Sequence, residues 1–227
     1  MESHEIIKKL KSLSNPKNVE GMARFGISRK NTLGVPVPNL REIAKKSGKN
    51  HELAQKLWAS GIHEARILAG MVAVPELVTE KQMDSWTNEF DSWDVCDQTC
   101  MNLFDKTGFS YKKAAEYSSK KEEFVKRAGF ALMASLAVHD KNAKDEKFLK
   151  FLPIIKRESF DERNFVRKAV NWALRQIGKR NPALNKGAVK AAKEILENNN
   201  KNDKNNSKSA RWIASDAIRE VTGKKVL

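Results

Sequence analysis

Phe124-Val125-Lys126-Arg127-Ala128 returns 41 residues later as Phe165-Val166-Arg167-Lys168-Ala169. In both stretches a basic pair sits inside a small and apolar frame. Ser209-Ala210-Arg211-Trp212-Ile213-Ala214 repeats the frame further on, and Glu64-Ala65-Arg66-Ile67-Leu68-Ala69 echoes it earlier. Intervals of about 41 to 45 residues are the period of HEAT-like helix pairs. One such pair cannot bury its apolar face alone, so successive pairs stack on a continuous core. The expectation is an all-α, HEAT-like helical-repeat solenoid, an α-α superhelix, with the second helix of each pair lining a concave face. Recurrent Arg and Lys at one phase then lay a basic track along that face. The competing reading is a set of ordinary amphipathic helices with exposed Lys.

Outward from these frames, helical periods continue along the whole chain. They run over Asn18–Phe25, Leu40–Lys46, His51–Ser60, Ile62–Ala73, Thr79–Phe90, Trp93–Lys106 and Tyr111–Ser118. Beyond these come Glu122–Val138, Lys144–Lys156, Glu162–Lys179, Asn185–Asn198 and Ser207–Val221. An apolar stripe of Ile6, Ile7, Leu10 and Leu13 precedes them. Between Thr32 and Asn39 the pattern breaks: Pro36 and Pro38 exclude a helix interior, so a rigid extended loop is expected there, with the next helix starting at Pro38 or Asn39. Asn198–Asn206, rich in Asn and Lys, reads as a flexible loop. The breaks between helices are short, which fits antiparallel neighbours within a single domain spanning residues 1–227.

The 227 residues carry 43 Lys and Arg against 28 Asp and Glu, a net charge of +15. The excess is uneven, +3 over residues 1–140 and +12 from residue 141 onward. A polyanion such as nucleic acid, held mainly by the C-terminal half, is the partner that this balance favours. No Lys-rich helix shows a broad apolar face, so a membrane surface is not expected. The two cysteines, Cys96 and Cys100, have no third thiol or nearby His to complete a metal site and read as reduced core residues. No metal site is expected, and His4, His51, His63 and His139 are too scattered to imply a catalytic dyad. With no signal-peptide or membrane-spanning run, the expected location is cytoplasmic and nucleoid-associated.

In this basic chain, Asp91-Ser92-Trp93-Asp94-Val95-Cys96-Asp97 stands out. On a helix, Trp93 and Asp97 lie one turn apart on one face. A carboxylate beside an indole makes a small spot that favours cations. The alternative is plain helix capping: Asp91 or Ser92 as N-cap, Asp94 and Asp97 favoured by the helix dipole, and Trp93 packed in the core.

Taken in order, Met22-Ala23-Arg24-Phe25, Leu33-Gly34-Val35-Pro36-Val37-Pro38-Asn39-Leu40-Arg41, Trp93-Asp94-Val95-Cys96-Asp97, Arg127-Ala128 and Phe165 through Arg175 resemble the DNA alkylation repair family of HEAT-like-repeat glycosylases, the AlkD type. The resemblance implies that Asp97 is the catalytic carboxylate, that Trp93 and Trp172 flank the lesion's sugar, and that Arg127 is an active-site arginine. It places Arg175 near the DNA backbone. Phe25 stands where the family carries Tyr, and Pro36 replaces a polar loop residue. Phe25, Arg175 and the phased Arg167, Lys168 and Arg211 complete the expected DNA-binding set. A base made cationic by alkylation already leaves readily, so one carboxylate and two indole faces suffice to stabilise the charge developing on the sugar. No Schiff-base lysine is picked out. The implied activity is therefore a monofunctional hydrolase that frees 3-methyladenine and 7-methylguanine from double-stranded DNA. It is expected to act as a monomer, without cofactor or metal, and without flipping the base. Two other readings remain: a catalytically silent HEAT-like module for branched or bent DNA, and a protein-binding scaffold.

Overall fold

A computed structural model describes residues 1–201 and 206–223. Among the described residues every regular element is helical, and they group into two compact units, Met1–Gly108 and Phe109–Leu227.

The first unit holds α1 (Ser3–Ser12), α2 (Pro16–Ala23), α3 (Val37–Ser47), α4 (His51–Ala59), α5 (His63–Val72), α6 (Glu80–Asn88) and α7 (Trp93–Asn102). Its centre is α5, eight of whose ten residues are buried, because it packs against α3, α4 and α7 together. A helix apolar nearly all round belongs in a core. Gly70 lets α5 close on α7, since a Cβ there would lie 3.3 Å from the Thr99 Cα. Beneath α4 and α6, the Trp58 and Trp86 rings stack at 4.1 Å, with Phe90 and Phe104 around them. Asn15 caps α2 through Lys17 and Asn18, so that helix starts at Pro16, two residues before the expected Asn18. Likewise α3 starts at Val37, with Pro36 as its N-cap residue and Pro38 in the first turn. First-turn amides have no partner within the helix, so proline is tolerated there. The stretch expected as Trp93–Lys106 ends as a helix at Asn102, and a separate 3-10 turn covers Phe104–Lys106.

The second unit holds α8 (Ser110–Ser118), α9 (Glu123–His139), α10 (Asp145–Leu149), α11 (Phe151–Glu158), α12 (Asn164–Arg180), α13 (Pro182–Lys201) and α14 (Lys208–Thr222). Here α9 is the core helix, with twelve of seventeen residues buried. α8 packs on one side of it and α12 on another, and α12 in turn carries α13 and α14. The long second helices are tied by side chains reaching back to main-chain oxygens. Arg127 Nη1 donates to the Phe165 carbonyl at 2.6 Å, and Asn171 Nδ2 to that of Ile213 at 3.2 Å. Arg180 holds the end of α9 through the carbonyls of Ala137, Asp140, Lys141 and Ala143. The helix expected over Lys144–Lys156 is two helices meeting at Lys150, because Pro153 has no N–H to give the Leu149 carbonyl. The loop expected over Asn198–Asn206 is shortened by α13, which continues to Lys201; residues 202–205 of that expectation lie outside the described residues.

Candidate functional site

In the first unit, α7 begins behind Ser92, whose hydroxyl is buried and makes no cap hydrogen bond. Trp93 is the first helical residue and is only half-buried, so it is not packed in the core as the alternative capping reading had it. Its indole Nε1 donates to the Phe25 carbonyl at 3.1 Å, a link across 68 residues of sequence. The Phe25 ring itself is 70 % exposed. Asp97 follows one turn after Trp93 and is also half-buried. Cys96 and Cys100, on the buried side of α7, are thiols outside any disulfide. Burial first, then a hydrogen bond with Cys96 and the nearby Asp97 charge, push the Cys100 thiol well up.

Two residues at the start of α5 brace this arrangement, and the sequence reading missed both. His63, 6 % exposed, places Nε2 2.8 Å from Asp94 Oδ2. Burial opposes its charge, but the Asp94 hydrogen bond and the charges of Asp94, Glu64 and Asp91 prevail, so its pKa lies above the ordinary 6.5. Glu64, 1 % exposed, accepts backbone N–H groups of Leu33, Gly34 and Val35 at 2.6–3.3 Å. That carboxylate gathers the main chain from Leu33 to Val35, where the Leu33 and Gly34 carbonyls are held in turn by Asn15 and Asn18. Gly34 suits the turn, with φ of +76° and no room for a Cβ, which would run into the Asn15 carbonyl oxygen. Phe25, Val35, Pro36, His63, Trp93 and Asp94 are among the walls of a mostly apolar cavity of about 480 Å³. These contacts share a spacing of 31, kept by His51–Gln82, Trp58–Glu89 and His63–Asp94, but it joins unlike residues and so shows only in the structure.

The remaining expected residues lie in the second unit. Trp172 is half-buried on α12. Arg127 is only 6 % exposed, its guanidinium engaged by the Phe165 carbonyl. Aligning Phe124 with Phe165 puts Lys126, not Arg127, in phase with Arg167 and Arg211. Lys126 is held by Glu158 and Asp161, so the basic phase is neutralised at α9. Arg167 lies over the Trp212 ring at 5.5 Å, Lys168 is exposed, and Arg211 is exposed with Nη2 2.8 Å from Asn206 Oδ1. Arg175 Nη1 is 3.7 Å from both the Asp216 and the Glu220 carboxylates, so its charge is already countered. The second unit nevertheless carries 28 Lys and Arg against 14 Asp and Glu, a net +14, leaving +1 for the first. Among the described residues no group of three or more His, Cys, Asp and Glu could hold a metal ion, and no helix is long and apolar enough to cross a membrane.

The family described as DNA alkylation repair enzyme matches residues 6–221. The chain belongs to that family. Its fold is that of the HEAT-like repeat proteins. A solved structure from "a new family of proteins related to the HEAT-like repeat DNA glycosylases with affinity for branched DNA structures" superposes with a TM-score of 0.77. It is 22 % identical over 86 % of this chain and 83 % of its own. No curated protein matches the chain.

Proposed function

We propose that this DNA alkylation repair protein is a monofunctional glycosylase that hydrolyses the N-glycosidic bond of cationic alkylpurines, 3-methyladenine and 7-methylguanine, in duplex DNA. The observation that carries this reading is the pairing on α7: Trp93 and Asp97 stand one turn apart, both open to solvent in part, with the indole anchored on the Phe25 carbonyl. An alkylated purine leaves as a neutral base, so the chemical demand is to stabilise positive charge on the deoxyribose. A fixed carboxylate and an indole face meet that demand. Asp97 also suits the task of orienting or deprotonating the attacking water. No general acid is required, and the base need not enter a pocket. The roles of Trp172 and Arg127 follow from the family resemblance alone, and their own variants test them. The protein acts, in this reading, as a single-domain monomer in the nucleoid-containing cytoplasm.

Incubating the protein with methylated duplex DNA and identifying the released bases tests the activity. Asp97→Asn is expected to slow single-turnover release by ~10²–10³ while duplex affinity holds or rises. Normal release by a folded Asp97→Asn protein would remove the catalytic assignment. Efficient uracil excision would mean that the site supplies acid catalysis.

A second reading, a catalytically silent module for branched DNA, is favoured by the described affinity of the structural neighbour. Phe25 at the family's Tyr position fits it as well. Under that reading no base is released, a four-way junction binds more tightly than a duplex of equal length, and Asp97→Asn changes neither result.

A further inference from the structure

The first turn of α7 carries Trp93 and Asp97, and one buried side chain from another helix holds that turn. His63 opens α5, and its main-chain N–H donates to the Asn31 carbonyl at 2.9 Å. Its ring reaches Asp94, the residue between Trp93 and Asp97 in the first turn of α7, at 2.8 Å. Next to it, Glu64 grips the main chain from Leu33 to Val35. Trp93 closes the circuit by donating to the Phe25 carbonyl at 3.1 Å. The start of α5 thus braces both α7 and the loop leading into α3, and these surfaces share one cavity. The Ser92 hydroxyl gives α7 no side-chain cap, and Asp94 joins Trp93 as a first-turn group that ties the helix to its surroundings.

We propose that His63, acting through Asp94, is a positioning residue that sets the first turn of α7 and with it the attitude of Trp93 and Asp97 towards DNA. The role rests on the glycosylase reading above. A donor on His63 Nε2 holds the Asp94 carboxylate in place, and a protonated ring holds it more firmly, because a charge-assisted hydrogen bond is the stronger one. The charged groups facing His63 are Asp94 from α7, Asp91 just before it, Glu64 from α5 itself, and Lys17 from α2 across the cavity. Three of the four are acidic. The protonated ring is therefore favoured: against the opposing effect of burial, the Asp94 hydrogen bond and the surrounding acids raise its pKa from the ordinary histidine value. Small misplacements of reacting groups are costly: a shift of about 1 Å can slow a reaction about a hundredfold.

The test uses His63→Gln, which keeps a neutral donor, and His63→Ala, which keeps none. Asp94→Asn serves as a third variant should either fail to fold. Single-turnover release of 7-methylguanine is followed from pH 6 to pH 8.5, alongside duplex affinity. The indole N–H resonance of Trp93, assigned through Trp93→Phe, is recorded over the same range. In the unaltered protein the rate should fall and the Trp93 resonance should move together as His63 loses its proton. His63→Gln should abolish both pH dependences, and His63→Ala should slow release by about ten- to a hundredfold with affinity unchanged. A folded His63→Ala protein with normal release, or a Trp93 resonance indifferent to every variant, overturns the proposal. Should the unaltered protein release no base, the glycosylase reading fails. The Trp93 resonance then decides by itself whether His63 sets the helix: movement supports it, and stillness overturns it.

Discussion

Removing the Glu64 carboxylate leaves three backbone N–H groups of the 33–35 loop without their acceptor, two of them on the buried Gly34 and Val35. Glu64→Ala removes both oxygens, including Oε1, on which all three donors converge. A loss of about 1–3 kcal/mol is expected, read by urea unfolding, the usual cost of orphaning a buried donor. A change below about 0.5 kcal/mol would show that the loop is held by other means. His63 gives a pH dependence of definite sign. Its folded pKa lies above 6.5, so its contribution to stability is fully present below pH 6.5 and is lost as pH rises through the folded value. The gap in melting temperature between the protein and His63→Gln should therefore narrow from pH 6 to pH 8.5; a constant gap would refute the pairing with Asp94. Neither residue announced itself in the sequence. Glu64 resembles any first-turn acid on a helix, and its partners are main-chain atoms about 30 positions away. Trp93 and Asp97 were legible because their spacing matches one helical turn whatever surrounds it. Whether Trp93 pointed into the core or out of it turned on its indole N–H finding the Phe25 carbonyl 68 residues away, a contact that periodicity does not contain.

At the scale of the helices, one substitution made at two places should have opposite effects. Gly21 lies in α2 with nothing within 4 Å of where a methyl group would sit, so Gly21→Ala is expected to stabilise by about 0.5–1 kcal/mol through helix propensity. Gly129 lies in α9 where α8 crosses. A Cβ there would lie 2.8 Å from the Ser118 Cα and 2.9 Å from the Ala114 oxygen. Both are main-chain atoms that cannot swing aside. Gly129→Ala should thus destabilise by about 1–3 kcal/mol despite the better propensity, as overpacking does. Thermal melts of the two variants check the signs, and a stabilised Gly129→Ala protein would mean that α8 is not seated as described. Helix identities were readable from apolar periodicity nearly everywhere, because most of the helices bury one stripe, α5 and α9 being buried on nearly every side. Their ends were less readable. The break at Lys150 turns on a single missing N–H at Pro153, and α13 runs past the polar Asn run, in which Asn199 is buried and gives its oxygen to the Ser207 N–H.

For the molecule as a whole, charge is the property that was most legible, because it needs no fold. The sequence division at residue 140 nonetheless understated it: the second unit holds +14 of the +15. Duplex binding should weaken linearly in log salt, by about 0.9 for each phosphate neutralised. Lys168→Ala and Arg211→Ala should each flatten that slope by about one unit, since both side chains are exposed. Arg175→Ala should flatten it less, because Asp216 and Glu220 already counter its charge. Equal slopes for all three variants would show that DNA displaces those acids, and a salt-independent affinity would remove the electrostatic account. Repeat periodicity was legible only where the repeats are long. The 41-residue frame of the second unit is carried by recurring aromatic and basic residues, whereas the 31-residue spacing of the first unit joins unlike residues and leaves no repeated word to find.

The buried thiols of α7 acquire a meaning once the protein's surroundings are considered. A protein of alkylation repair works where reactive electrophiles are present, and cysteine is the side chain that they attack first, as thiolate. Both cysteines of this chain are buried, and Cys100 is held protonated far above neutral pH. The helix that carries the proposed catalytic carboxylate therefore presents neither of its thiols to methylating agents as an exposed thiolate.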